Sequence, residues 1–222
     1  MTFKKALDDL RVAFGNFELA ARSDDKTPLQ NALALSEAKD SFATSDDSPS
    51  ILIFADINNF KAFNTRHGYT GGDAAIGEVG RLIQVTIVER GWGQAFRLSG
   101  DEFVVLLRSE FLDDFHELSK TFSNCEVILK NQPSIVSLSF GYAQSAPGTE
   151  FDVLRDRAEM ACKTAKTTGE GICVGWTQEL ERSQFKSFRH TCGDCGSLIS
   201  CETPTDQKVE KLSLCPACGN QL

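Results

Sequence analysis

Acidic side chains carry the first chemistry legible in this 222-residue chain. Asp101 and Glu102 are adjacent within Arg97-Leu98-Ser99-Gly100-Asp101-Glu102-Phe103, and Asp56 closes the apolar run Ile51-Leu52-Ile53-Phe54-Ala55. Carboxylates held on rigid backbone suit a hard cation such as Mg²⁺, which takes oxygen ligands. A second constellation is Cys192-Gly193-Asp194-Cys195-Gly196 and Cys215-Pro216-Ala217-Cys218-Gly219, spaced C-x₂-C-x₁₉-C-x₂-C. Four thiolates at that spacing make a closed tetrahedral Zn²⁺ site, and the glycines permit the knuckle turns. Such a site is structural, not catalytic. The remaining cysteines, Cys125, Cys162, Cys173 and Cys201, are scattered, and burial or incidental placement is expected of them.

The elements that must hold the acids follow from the apolar pattern. Gly93 to Leu98 and Phe103 to Leu107 read as strands, and the glycine-bearing turn between them reads as a hairpin with Asp101 and Glu102 at its tip. Ala74 to Glu89 is expected to be a helix with Ile76, Val79, Ile83 and Ile87 on one face. Ser134 to Tyr142 and Gly171 to Trp176 read as strands, and Phe151 to Thr167 as a helix closed by Gly169. At the start, Phe3, Leu7, Leu10, Phe14, Phe17 and Ala21 are spaced 4-3-4-3-4, a heptad seam. At fewer than three heptads, packing on its own domain is favoured over a dimeric coiled coil. A second helix is expected within Leu29 to Lys39.

The acidic segments sit in longer patterns. Asp56-Ile57-Asn58-Asn59-Phe60-Lys61-Ala62-Phe63-Asn64, Gly68-Tyr69-Thr70-Gly71-Gly72-Asp73 and Arg97 to Phe103 follow one another across residues 50 to 108. They resemble the core of GGDEF domains, the diguanylate cyclases: D-I-D-x-F-K-x-x-N-D, G-H-x-x-G-D and R-x-G-G-[DE]-E-F. Ala158 to Gly169 resembles that family's A-D-x-A-L-Y-x-A-K-x-x-G. The resemblance implies an α/β fold with a palm-like (ferredoxin-like), mainly antiparallel sheet covered by helices, to which the cysteines add a small C-terminal zinc ribbon. It implies that Asp56, the Ile57 carbonyl and Asp101 bind Mg²⁺ or Mn²⁺, and that Glu102 completes the carboxylate cluster or helps take up the hydroxyl proton. Lys61 and Lys166 correspond to triphosphate-binding lysines. Ser99 and Gly100 would let backbone approach the nucleotide, and Asn64 and Asp73 match the guanine-reading pair. Asn58, Tyr69 and Ser99 depart from the pattern. The family's opening D-x-L-T-G-L-x-N-R is not found, Lys26 to Asn31 being at best a remnant. The product-binding R-x-x-D window is Arg90-Gly91-Trp92-Gly93, with no aspartate, so weak or absent product feedback is expected.

Composition excludes other classes. Net charge is −8, which argues against broad binding to nucleic acid or anionic membranes. No apolar run approaches the ~20 residues a membrane helix needs, and no secretory signal opens the chain, so a cytoplasmic protein is expected. The expected organisation is an N-terminal helical region at 1–48, a nucleotidyl cyclase domain at 49–180 and a zinc ribbon at 186–222. That last segment carries four Lys/Arg and four Asp/Glu, which favours a protein contact over nucleic-acid reading. The resulting expectation is a cyclase that condenses two GTP to cyclic di-GMP, acting as a homodimer. The alternatives are a related palm nucleotidyltransferase with another product, and a degenerate GGDEF module that binds GTP or a partner without turnover.

Overall fold

The central strand is β1 (Ser50–Ile57), buried on both faces from Ile51 to Ala55. The computed structural model describes residues 3–43, 50–146, 148–168, 172–183, 185–191 and 198–204. β1 pairs antiparallel with β3 (Glu102–Arg108) on one side and with β6 (Leu138–Gln144) on the other. β2 (Gly93–Ser99) extends the sheet beyond β3, and the short β7 (Cys173–Gly175) joins β6 in parallel, giving the order β2-β3-β1-β6-β7. This is the mainly antiparallel α/β fold expected from the sequence.

Strand alternation decides what each face packs against. Ile51, Ile53, Ala55 and Ile57 meet Ile76, Val79 and Ile83 of α3 (Phe60–Ile83) and also Phe115 and Phe122. Leu52 and Phe54 face the other way, onto Ala34 and Leu35 of α2 (Ala32–Ala43) and Leu154, Ala158 and Cys162 of α5 (Phe151–Thr168). Gly141 is what lets α5 lie flat on β6, because a Cβ there would come within 2.0 Å of the Cys162 amide nitrogen.

Several boundaries differ from the sequence expectation. α3 begins at Phe60 and bends at Gly68 (φ 74°), and Gln84–Val88 continues it as a π-helical turn. The stretch expected as one strand from Ser134 breaks at Ser137. β5 (Gln132–Val136) instead forms a separate hairpin with β4 (Cys125–Leu129), turning through Lys130 and Asn131, both at positive φ. α4 (Leu112–Ser119) precedes that hairpin.

α1 (Phe3–Arg22) forms as expected, but its seam is not buried on the domain: Leu10, Phe14 and Phe17 are 66%, 61% and 70% exposed. The reading of a helix packed on its own domain is thereby overturned. The missing opening motif is also corrected. Ser23 to Asn31 forms an ordered turn in which the Gln30 amide donates to the Ala95 carbonyl at 3.3 Å and the Arg97 amide donates to the Gln30 carbonyl at 2.8 Å. Asp24, Thr27, Leu29 and Asn31 fall on the D, T, L and N of the family pattern.

Residues Met1–Trp176 form one compact unit and Thr177–Leu222 another. Within the second, α6 (Gln178–Ser183) is followed by the antiparallel hairpin of β8 (Phe185–Thr191) and β9 (Leu198–Pro204). Cys192, Cys195, Cys215 and Cys218 lie outside the described residues. Among the described residues, no helix is long and apolar enough to cross a membrane.

Candidate active site

Asp56 falls on the α5 side of β1 because it continues the alternation of Leu52 and Phe54. Its register partners are Glu102 on β3 and Ser139 on β6. The adjoining Ile57 amide donates to the Asp101 carbonyl at 3.2 Å, which ties the end of β1 to the turn between β2 and β3. Asp56, Asp101 and Glu102 therefore share one end of the sheet. Lys166, on the last turn of α5, places Nζ 2.6 Å from Asp56 Oδ1. That contact makes Lys166 the partner of the buried Asp56 oxygen, and it favours the ionised carboxyl.

Burial raises the Asp56 carboxyl. Lys166 opposes the rise, and the neighbouring charges of Asp101 and Glu102 add to it, leaving the group at about 6. Three neighbouring acids met by one lysine leave net negative charge at this end of the sheet, which fits a divalent cation. Asp56, Asp101 and the Ile57 carbonyl are oxygen donors of the type such an ion takes. Among the described residues, no group of three His, Cys, Asp or Glu side chains is placed to hold a metal ion.

The turn that carries Asp101 is held from beneath. Arg97 is buried and donates from Nε and Nη2 to the Gly100 carbonyl at 3.0 and 2.9 Å. Its Nη1 meets both oxygens of Asp24, at 3.2 and 2.9 Å. Burial alone would raise the Asp24 carboxyl, but bonds from Thr27 and the Lys26 amide and the Arg97 charge outweigh it and hold it below its ordinary value. Gly100 adopts φ 51°, the left-handed region that favours glycine. Ser99 Oγ lies 3.3 Å from Glu102 Oε2, so the serine contacts an acid of the cluster.

Asn58 departs from the family's aspartate and is fully engaged. Its Nδ2 donates to Ser137 Oγ at 3.0 Å, and its Oδ1 accepts from Ser139 Oγ at 2.8 Å. These bonds fix the β1–α3 turn, where Asn59 takes φ 54°. Lys61 is exposed on the first turn of α3. Asn64 and Asp73 lie on the same helix, either side of its bend. A Cβ on Gly72 would fall 1.8 Å from Asn64 Oδ1, so the glycine makes room for that amide, whose oxygen is buried without a partner. Asp73 is exposed and pairs with Lys26, Nζ to Oδ1 at 2.6 Å. Tyr69, in place of the family histidine, is 84% exposed. In the product-site window, Arg90 lies over the Trp92 ring at 5.2 Å. A Cβ at Gly93 would meet the Leu106 carbonyl oxygen at 2.1 Å, so this backbone has no room there for the missing aspartate.

Asp24, Lys26 and the inward role of Arg97 are absent from the residues singled out in the sequence. The signal that finds them is D-x-x-T-x-L-x-N spacing, obscured by Lys26, Pro28 and Ala32 where the pattern has leucine, glycine and arginine.

A family model described as "Diguanylate cyclase, GGDEF domain" matches residues 21–171. The chain belongs to the GGDEF family. Its match begins just before the Asp24 turn. Diguanylate cyclase DgcS of Shewanella oneidensis is 28% identical over 165 residues, which are 74% of this chain and 51% of the relative. The chain spans about half the length of the curated relatives it matches first. The crystal structure of the coiled coil and GGDEF domain of DgcB from Caulobacter crescentus, in complex with c-di-GMP, superposes with a TM-score of 0.69. The match covers 78% of this chain and 94% of that one at 22% identity. The GGDEF domain of the same protein alone gives 0.62 at 25% identity, covering 70% and 93%.

The raised Asp56 carboxyl has a consequence for stability. Between the ordinary 3.8 and about 6 the folded state binds a proton that the unfolded state has lost, so ionisation above about 6 costs stability. In metal-free buffer Asp56→Asn should stabilise the protein by about 1–2 kcal/mol at pH 7.5 in urea denaturation. The gain should shrink through pH 6 and vanish below pH 4. A variant less stable than the parent at pH 7.5 would mean that the Lys166 pairing outweighs burial and like-charge crowding.

Proposed function

We propose that the chain is a diguanylate cyclase, condensing two GTP to cyclic di-GMP and two pyrophosphates. The observation that carries this reading is the buried Asp56 carboxylate, which is paired with Lys166 and shares one sheet end with Asp101 and Glu102. Each 3′-hydroxyl oxygen attacks the α-phosphorus of the other GTP. The bond to the bridging oxygen of the β-phosphate breaks, and pyrophosphate leaves. Mg²⁺ or Mn²⁺, when bound, neutralises triphosphate charge and favours ionisation of the attacking hydroxyl. Asp56, Asp101 and the Ile57 carbonyl would hold it. Glu102 takes up the hydroxyl proton, Lys61 and Lys166 bind the triphosphate, and Ser99 and Gly100 allow close backbone approach. Asn64 and Asp73 read guanine, because a carboxylate accepts from its N1–H and N2–H. GTP supply places the reaction in the cytoplasm.

A product with two phosphodiester links requires two facing GTP sites, so the active species is a homodimer. The exposed Leu10, Phe14 and Phe17 of α1 supply the contact through their heptad spacing. The four cysteines hold structural Zn²⁺, a reading supported by their spacing, and the first pair falls in the chain between β8 and β9. The zinc ribbon is available for a protein partner.

Purified protein incubated with GTP, ATP or both, with Mg²⁺ or Mn²⁺, should yield cyclic di-GMP from GTP alone. Asp101→Ala should reduce the rate at least 100-fold, a loss of about 3 kcal/mol of transition-state stabilisation. A different nucleotide product would replace this reading with another palm nucleotidyltransferase, and GTP binding without turnover would favour a degenerate module. Added product should inhibit little, and Arg90→Ala should leave that response unchanged; strong inhibition lost in the variant would contradict the reading of Gly93. Replacing both Phe14 and Phe17 by Glu should convert a dimer to a monomer in sedimentation velocity and lower turnover at least tenfold while GTP binding persists. A fully active monomer would remove α1 from the account.

A further inference from the structure

Lys26 stands where the family's opening pattern has leucine, and the fold brings it to the Asp73 carboxylate. Asp24 Oδ1 accepts from the Lys26 amide at 3.1 Å and from the Thr27 amide and hydroxyl at 2.9 Å, which fixes the turn. The turn then rests on α3 at two glycines. A Cβ on Gly77 would lie 3.2 Å from the Lys26 carbonyl oxygen, and one on Gly80 would lie 2.5 Å from Thr27 Cβ. Gly77 and Gly80 stand four and seven residues beyond Asp73, on the same helix face. Small residues there allow the close approach that brings Lys26 Nζ to 2.6 Å from Asp73 Oδ1. Both side chains remain partly open to solvent, at 37% and 50%, so a ligand can reach them. An exposed ion pair of this kind contributes little to folding.

We propose that Lys26 is a specificity residue of the nucleotide site, donating a hydrogen bond to the 6-keto oxygen of a guanine whose N1–H and N2–H are accepted by Asp73. This rests on the reading of Asp73 given above. In guanine the keto oxygen is adjacent to N1. A donor held against Oδ1 of Asp73 stands beside the keto oxygen when Oδ1 takes N1–H and Oδ2 takes N2–H, the orientation assigned to the bound base. A carboxylate oxygen has lone pairs enough to keep the ammonium and accept from the base together. The family pattern carries leucine at this position, which donates nothing, so this chain adds a base contact. A lysine in simple competition for Asp73 would have the opposite effect and weaken guanine binding.

Calorimetric titration of the full chain separates these cases. The probes are α,β-methylene-GTP, which cannot release pyrophosphate, its 6-thio counterpart with a poorer acceptor, and the adenine analogue. The variants are Lys26→Met, which keeps most of the aliphatic stem, Lys26→Ala and Asp73→Ala, with circular dichroism to confirm folding. The parent protein should prefer the keto over the thio ligand by about tenfold, the scale of a hydrogen bond to a charged group. Both Lys26 variants should bind the keto ligand about tenfold more weakly and lose that preference. Unchanged or tighter binding by Lys26→Met overturns the proposal while leaving Asp73 as a guanine reader. Adenine preferred by the parent, and lost in Lys26→Met, would put the ammonium on adenine N1 and also overturn it. Absence of guanine binding by the parent, or binding indifferent to Asp73→Ala, overturns the underlying reading of Asp73 and this inference with it.

Discussion

The buried charge of Arg97 constrains everything around the acidic turn between β2 and β3. Its side chain and that of Asp24 are 9% and 10% exposed, and a charge so far from water must be paired and hydrogen-bonded. Asp24 accepts from one end of the guanidinium, and the Gly100 carbonyl accepts two bonds from the other. Removing either partner leaves an uncompensated charge, at a cost of about 3–5 kcal/mol. Three separate pieces of chain are thereby fixed together: the turn after α1, the tip between β2 and β3, and, through the bond from the Ile57 amide to the Asp101 carbonyl, the end of β1. Asp24 lies two residues beyond the last residue of α1, so the orientation of that helix and the height of the acidic turn are mechanically linked.

Around this clamp the sheet sorts side chains by parity. Odd residues of β1 fill the core against α3, and even ones fill the core against α2 and α5. The same alternation carries Asp56 toward α5 and under Lys166. The polar end of the sheet is thus a continuation of its core pattern, with carboxylates where the next apolar side chains would otherwise stand. The strain there is electrostatic: three acids share one rim, and a single lysine pairs with the most buried of them. A cation bound among them would relieve that crowding, as the proposed function requires.

Much of this was legible in the residues. Apolar runs locate β1, β2 and β3 within a residue or so, and motif spacing groups Asp56, Asp101, Glu102 and Lys166 before any coordinates. The misses have physical causes. Ser134 to Tyr142 alternates well enough to read as one strand, but Asn58 engages Ser137 there through the Ser137 carbonyl and hydroxyl, and the chain changes sheets. The α1 seam has the same spacing whether it packs on its own domain or on another helix, and only the exposure of Phe14 and Phe17 shows that it does not pack on its own domain. Asp24 and Lys26 were hidden because Lys26, Pro28 and Ala32 interrupt the spacing that marks their turn, and because their partners, Arg97 and Asp73, lie 73 and 47 residues away in sequence. Local spacing carries no trace of pairing at that distance.

Amide hydrogen exchange in Asp24→Asn tests most directly whether the Asp24–Arg97 pair sets the position of the acidic turn. The Ile57 amide reports on the turn through its bond to the Asp101 carbonyl, and Phe103 to Leu107 report on the core. The account predicts exchange at Ile57 and across residues 99–101 faster by about tenfold or more, with the core strand still protected. Unchanged protection at Ile57 would show that the turn stands without the clamp and would contradict the account.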